Sequence, residues 1–157
     1  MAIVLNYYID NSITPLQTAL YAMNNGYRTY QNGTSWLYFE AMANEYNLEF
    51  LQTSSSKEAV NWMNTKNNPL TICSMGPGLW TNNGHFIVLW KIENNMVYIN
   101  DPMSTLEERN KNSYNKLVSQ CKQYFCFNKT KKKKKKIEEV QLKFKENKIK
   151  FILNIAE

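Results

Sequence analysis

The tripeptide Asn67-Asn68-Pro69 divides this chain into two parts with different periodicity. Before it, apolar residues recur at helical spacing; after it, they come in short continuous runs that suit strands. Residues 1 to 9 are almost continuously apolar or aromatic, which fits a helix buried on most sides and ended by the turn Asp10-Asn11-Ser12. No Ser, Thr, Asp or Asn precedes that helix as a cap, so its first backbone N–H groups lack side-chain partners. Thr14-Pro15 reads as the N-cap and first position of a second helix carrying Leu16, Ala19, Leu20 and Met23 as far as Gly26. Thr34 or Ser35 caps a third, with Leu37, Phe39, Ala41, Met42, Ala43 and Tyr46 on its apolar faces. Residues 48 to 51 suit a short strand, and Ser54-Ser55-Ser56 with Glu58 is a capping-box pattern that opens a fourth helix.

Beyond Pro69 the reading is strand 70–75, a loop with three glycines, strand 86–90, a tight turn at Glu93-Asn94-Asn95 and strand 96–100, which Asp101-Pro102 ends. A helix over 113–122 and a strand over 124–127 follow. Helices first and an antiparallel sheet second make an α+β arrangement.

Charge separates a body from a tail. The net charge is +6. Residues 1–128 hold six Lys and two Arg against nine acidic residues, a net −1, whereas residues 129–157 hold eleven Lys against four Glu, a net +7. The expected organisation is one domain over 1–128 and a Lys-rich, low-complexity tail over 129–157. The run of six Lys at 131–136 must repel itself and stay solvated, while 148–151 alternates like an edge strand. A neutral body with two Arg is a poor footprint for phosphate backbones, so no nucleic-acid partner is expected. No apolar run approaches the roughly 20 residues that span a bilayer, and residues 1–5 lack the flanks of a signal peptide. Cytoplasmic location is the default, and export is expected only if an upstream segment is missing. The three cysteines, Cys73, Cys121 and Cys126, lack Cys-x-x-Cys spacing, and there is one His; no disulfide framework, metal site or cofactor is expected.

That one His carries the candidate chemistry. His85 precedes an apolar strand and follows the loop containing Gly76, Gly78 and Gly84. If strand 86–90 pairs back with 96–100, Asp101 comes within reach of His85. A carboxylate beside an imidazole fixes its tautomer and stabilises the imidazolium, as a general base serving a nucleophile requires. The glycines would let a substrate backbone approach closely, or serve only as turn residues. Trp36, Trp62 and Trp90 read as packing residues, whereas Trp80, in the glycine loop, is a candidate to line a substrate groove.

Met75-Gly76-Pro77-Gly78, Thr81, Gly84-His85-Phe86-Ile87-Val88-Leu89 and Asn100-Asp101-Pro102 resemble the bacteriocin-processing, double-glycine-leader branch of the papain-like cysteine peptidases. Ile13-Thr14-Pro15, Gly26-Tyr27-Arg28 and Gly33-Thr34-Ser35-Trp36 extend the similarity over residues 1 to about 128. The resemblance implies a papain-like α+β fold, a peptide or protein substrate, His85 as base and Asp101 as its orienting acid. Family members carry their nucleophile in Cys-Gly-Pro-Thr at the N-terminus of a buried helix, where the helix dipole favours the thiolate, with an oxyanion-stabilising Gln just upstream. Neither is in this sequence, and residues 1–8 resemble the continuation of that helix. Cys73 reads as a buried structural thiol inside a strand, and Cys121 and Cys126 are poorer candidates still. The expectation is therefore a peptidase fold incomplete at its N-terminus, hydrolysing peptide bonds by a Cys-His-Asp mechanism in complete form and inactive as the given chain. The alternatives are a noncatalytic peptide-binding module that keeps the cleft, and a nucleic-acid or membrane-surface binder acting through its basic tail.

Overall fold

Local signals explain where the helices start, and burial explains where the strands lie. A computed structural model describes residues 1–130. Along the chain it contains α1 (Ala2–Tyr8), α2 (Pro15–Asn24), β1 (Arg28–Thr29), β2 (Gly33–Thr34), α3 (Leu37–Glu45), β3 (Leu48–Thr53) and α4 (Ser56–Thr65). There follow β4 (Leu70–Met75), β5 (His85–Glu93), β6 (Met96–Asn100), α5 (Glu107–Asn110), β7 (Lys111–Ser113), α6 (Tyr114–Gln120) and β8 (Cys121–Lys129). The Lys run and the alternating stretch at 148–151 lie outside the described residues, and β8 runs one residue past the expected boundary at 128.

Thr14 caps α2 reciprocally: its hydroxyl accepts from the Gln17 N–H at 3.2 Å, and Gln17 Oε1 accepts from the Thr14 N–H at 2.7 Å. Ser55 caps α4 by accepting from the Glu58 N–H at 3.3 Å, but the Glu58 carboxylate departs from the expected box by taking the Thr53 hydroxyl instead. Helix α3 starts at Leu37 after Trp36, and Ser35 contributes a bond from the Leu37 N–H at 3.3 Å. Helix α1 has no side-chain cap, as its sequence requires.

Six strands form one antiparallel sheet in the order β3-β8-β4-β5-β6-β7. The expected strand at 48–51 is longer than its sequence suggested, and it belongs to this sheet through the last strand, with Phe50 opposite Phe127. Every residue of β4 is buried, which accounts for its unbroken apolar run: it lies inside the sheet and is covered on both faces. One face packs Ile72, Val88, Phe125 and Phe127 against Val4 and Leu5 of α1, Ala22 of α2 and Phe39 and Met42 of α3. The other packs Cys73, Met75, Ile87, Val97, Ile99 and Tyr124 against Ala59 and Met63 of α4, Leu117 of α6 and Trp80. The helices that precede the sheet in sequence thus divide between its faces. Phe125 is the aromatic centre of the first layer, its ring 4.3 Å from that of Phe39 and 6.0 Å from that of Trp36. No helix among the described residues is long and apolar enough to cross a membrane.

Phe125 is fully buried. Phe125→Ala is expected to cost about 3–5 kcal/mol of unfolding free energy in urea titration; a loss below 1 kcal/mol would contradict this account of the core.

Candidate active site

The register of the β5–β6 hairpin decides whether His85 and Asp101 meet. The turn is Asn94-Asn95, both at positive φ (51° and 60°), as a two-residue primed turn requires. Pairing starts with Glu93 opposite Met96 and runs to Lys91 opposite Tyr98, then resumes with Leu89 opposite Ile99 and Val88 opposite Asn100. Trp90 is the extra residue of a β-bulge. Without that slip, Asp101 would continue opposite Val88, on the sheet face that carries α1. With it, Asp101 falls one step beyond the Val88–Asn100 pair, opposite Ile87, and so on the same face as Ile87 and His85. The sequence reading placed the two residues together but missed the bulge that brings them to one face.

The contact is direct. His85 Nε2 lies 2.7 Å from Asp101 Oδ1, the Asp101 carboxylate is fully buried and the imidazole is 11% exposed. Oδ1 also accepts the Met103 N–H at 2.9 Å, and Oδ2 accepts Arg109 Nε–H at 2.7 Å, with Arg109 Nη2 at 2.6 Å. Burial pushes the Asp101 carboxyl up, but the bonds from His85, Met103 and Arg109 outweigh it and hold the carboxyl below its ordinary range. An ionised carboxylate only accepts, so His85 Nε2 carries the hydrogen and Nδ1 is the basic nitrogen.

The glycine loop is less open than its composition suggested. Trp80 is 2% exposed; it packs with Met75, Ile87 and Leu117, and its indole N–H donates to the Arg109 carbonyl at 2.8 Å. The expected groove-lining role of Trp80 is therefore corrected: the ring fills the core, where its N–H finds a carbonyl partner. Trp36 and Trp90, read as packing residues, are the half-exposed ones, at 41% and 49%. Gly76 is buried with the Lys122 side chain where a Cβ would be, and Gly78 sits at φ +154° against the Gln120 side chain. Both glycines admit the chain's own residues, and Gln120 Oε1 fixes the loop by accepting the Leu79 N–H at 2.7 Å. Gly78 and Gly84 are both exposed, but Gly84 alone of the three has nothing within 4 Å of its missing side chain.

All three cysteines are free thiols. Burial pushes Cys73 well up and Cys126 to about 11. Cys121 is lowered, chiefly by its hydrogen bond with Cys73. Met75 pairs with His85 on one side and Cys121 on the other, so Cys121 and His85 share a row two strand spacings, about 10 Å, apart. The buried Met75 lies between them, and proton transfer needs about 3 Å.

An antiparallel sheet with helices on both faces and an imidazole–carboxylate pair at the end of a central hairpin is the papain-like α+β arrangement. The sequence profile of the Peptidase C39 family matches residues 1–133, and the chain belongs to that family. Among solved structures, it is similar to the peptidase domain of Streptococcus ComA, a bi-functional ABC transporter involved in a quorum-sensing pathway. The TM-score is 0.56 at 15% identity, covering 82% of this chain and 87% of that one. No curated protein matches.

Because Asp101 is held below its ordinary value, its bonds add stability above the unfolded carboxyl pKa of about 3.9, and this is lost as pH falls through the lower folded value. The stability gap between wild type and Asp101→Asn in urea titration is thus expected to be full at neutral pH and to close below about pH 4; a gap that persists in acid argues against the pairing. Gly78→Ala, forced into a strained backbone against Gln120, is expected to cost about 1–3 kcal/mol. Gly84→Ala should stay within about 0.5 kcal/mol, since nothing lies in its way.

Proposed function

We propose that this chain carries the general base and orienting acid of a thiol peptidase acting on peptide or protein substrates, with residues 1–128 as the peptidase-like domain and residues 129–157 as a Lys-rich appendage. The observation that carries the reading is the 2.7 Å contact between His85 Nε2 and the buried Asp101 carboxylate, which leaves Nδ1 for proton exchange. In the complete mechanism His85 Nδ1 takes the thiol proton and the thiolate attacks the scissile carbonyl. The imidazolium then protonates the departing amine. Water, deprotonated by the same nitrogen, releases the acyl group, and Asp101 stabilises each imidazolium without itself taking a proton. The exposed Gly84 beside His85 offers room for the substrate backbone.

The nucleophile belongs at the head of α1. This placement follows the family resemblance, in which the nucleophile heads this buried helix; Met1 lines a cavity of about 170 Å³ together with Phe86, the neighbour of His85 in β5. The given chain presents no thiol within reach of His85 among its described residues, which also supports a second reading, a cleft that binds peptides without turnover.

An upstream extension separates the two. A chain lengthened before Met1 by a segment bearing Cys-Gly-Pro-Thr is expected to hydrolyse double-glycine leader peptides and to lose this activity on alkylation, as a His85→Ala variant also does. Residues 1–157 alone should show no turnover. If the extended chain binds the peptide with turnover no greater than His85→Ala, the binding module is the correct reading.

A further inference from the structure

Arg109 is one of only two arginines in the sequence, and nothing in Leu106-Glu107-Glu108-Arg109-Asn110 distinguishes it from the surface charge of a short helix. The structure uses it otherwise. Its Nε donates to Asp101 Oδ2 at 2.7 Å, and its Nη2 lies 2.6 Å from the same oxygen and donates to the Trp80 carbonyl at 2.8 Å. The Trp80 indole N–H returns a bond to the Arg109 carbonyl at 2.8 Å, so the glycine loop and α5 are tied in both directions. The next residue completes the hold. Asn110 Oδ1 accepts the Asp101 backbone N–H at 3.0 Å, and its amide donates to the Ser104 and Leu106 carbonyls at 2.9 Å each.

The carboxylate is thereby divided. Oδ1 serves His85 and the Met103 N–H; Oδ2 serves Arg109. A carboxylate with one oxygen held by a rigid guanidinium cannot rotate about its last bond, and this directs the other oxygen at His85 Nε2. We infer that Arg109 is a positioning residue: it orients Asp101 toward His85 and fastens the glycine loop, through the Trp80 carbonyl, to the same point. The catalytic meaning of this inference rests on the peptidase reading, but the orientation itself is measurable without turnover.

The single His makes the measurement direct, because the imidazole nitrogens of the full 157-residue chain give one unambiguous pair of 15N resonances. In the wild type, measured at a pH where the imidazole is neutral, Nε2 is expected to carry the hydrogen that Asp101 accepts and Nδ1 to be bare, with widely separated shifts. In Arg109→Met, Oδ2 loses its donors and only the Met103 N–H still holds the carboxylate beside His85, so it can turn, the two tautomers mix and the shifts converge. Arg109→Lys, which can hold the Asp101 oxygen or the Trp80 carbonyl but not both, should fall between them. A folded Arg109→Met protein with wild-type imidazole shifts overturns the inference. If that variant does not fold, wild-type shifts in Arg109→Lys overturn it. Activity of the extended chain is read separately: converging shifts with no turnover would leave the positioning role intact and remove the peptidase reading, whereas turnover with unmoved shifts would do the reverse.

Discussion

A carboxylate taken fully out of water loses several kcal/mol of hydration, which only well-placed donors can offset. Asp101 recovers that loss from three directions: the imidazole at the start of β5, the Met103 N–H just beyond it in sequence and the Arg109 guanidinium on α5. These bonds set the positions of segments that have no other regular structure. The 101–106 loop folds back because Met103 and Asn110 reach Asp101, and the 76–84 loop is held down because Arg109 also needs the Trp80 carbonyl. Removing any donor leaves a buried charge underpaired, so the site and its surrounding loops form one electrostatic unit.

The sheet provides the rigid support for that unit. Strand β8, last in sequence among the described residues, is inserted between β3 and β4, and its alternating side chains supply Phe125 and Phe127 to one layer and Tyr124 and Cys126 to the other. Its first turn does more than pack: Gln120, immediately before it, anchors the glycine loop through the Gly76 N–H and the Leu79 N–H, both at 2.7 Å. The end of the chain's fold thus braces the segment that leads into His85. The same layering keeps the thiols apart from His85. Cys73 and Cys126 are fully buried in the second layer, and Cys121 is separated from His85 by Met75.

Membership of the Peptidase C39 family accords with this division of labour. The hairpin carries His85 and Asp101, while α1 packs on the opposite sheet face and Met1 lines a cavity with Phe86. Two elements distant in sequence therefore meet at the cavity that Met1 and Phe86 line.

Much of this was legible from residues alone. Caps, turn residues and the change from helical to extended periodicity are encoded locally, so Thr14-Pro15, Ser55 and Asn94-Asn95 each act within a few residues of themselves, and the α+β order follows. His85 and Asp101 were identifiable because they flank the two strands of one hairpin. What the sequence could not specify are contacts whose partners are far apart or whose register depends on packing. The Trp90 bulge is a compromise between the hydrophobic faces of two strands, and no residue of the hairpin announces it. The pairing of β3 with β8, the burial of Trp80 and the recruitment of Arg109 depend on where separate elements come to rest, since a side chain's role there is set by the water it loses and the partner it meets.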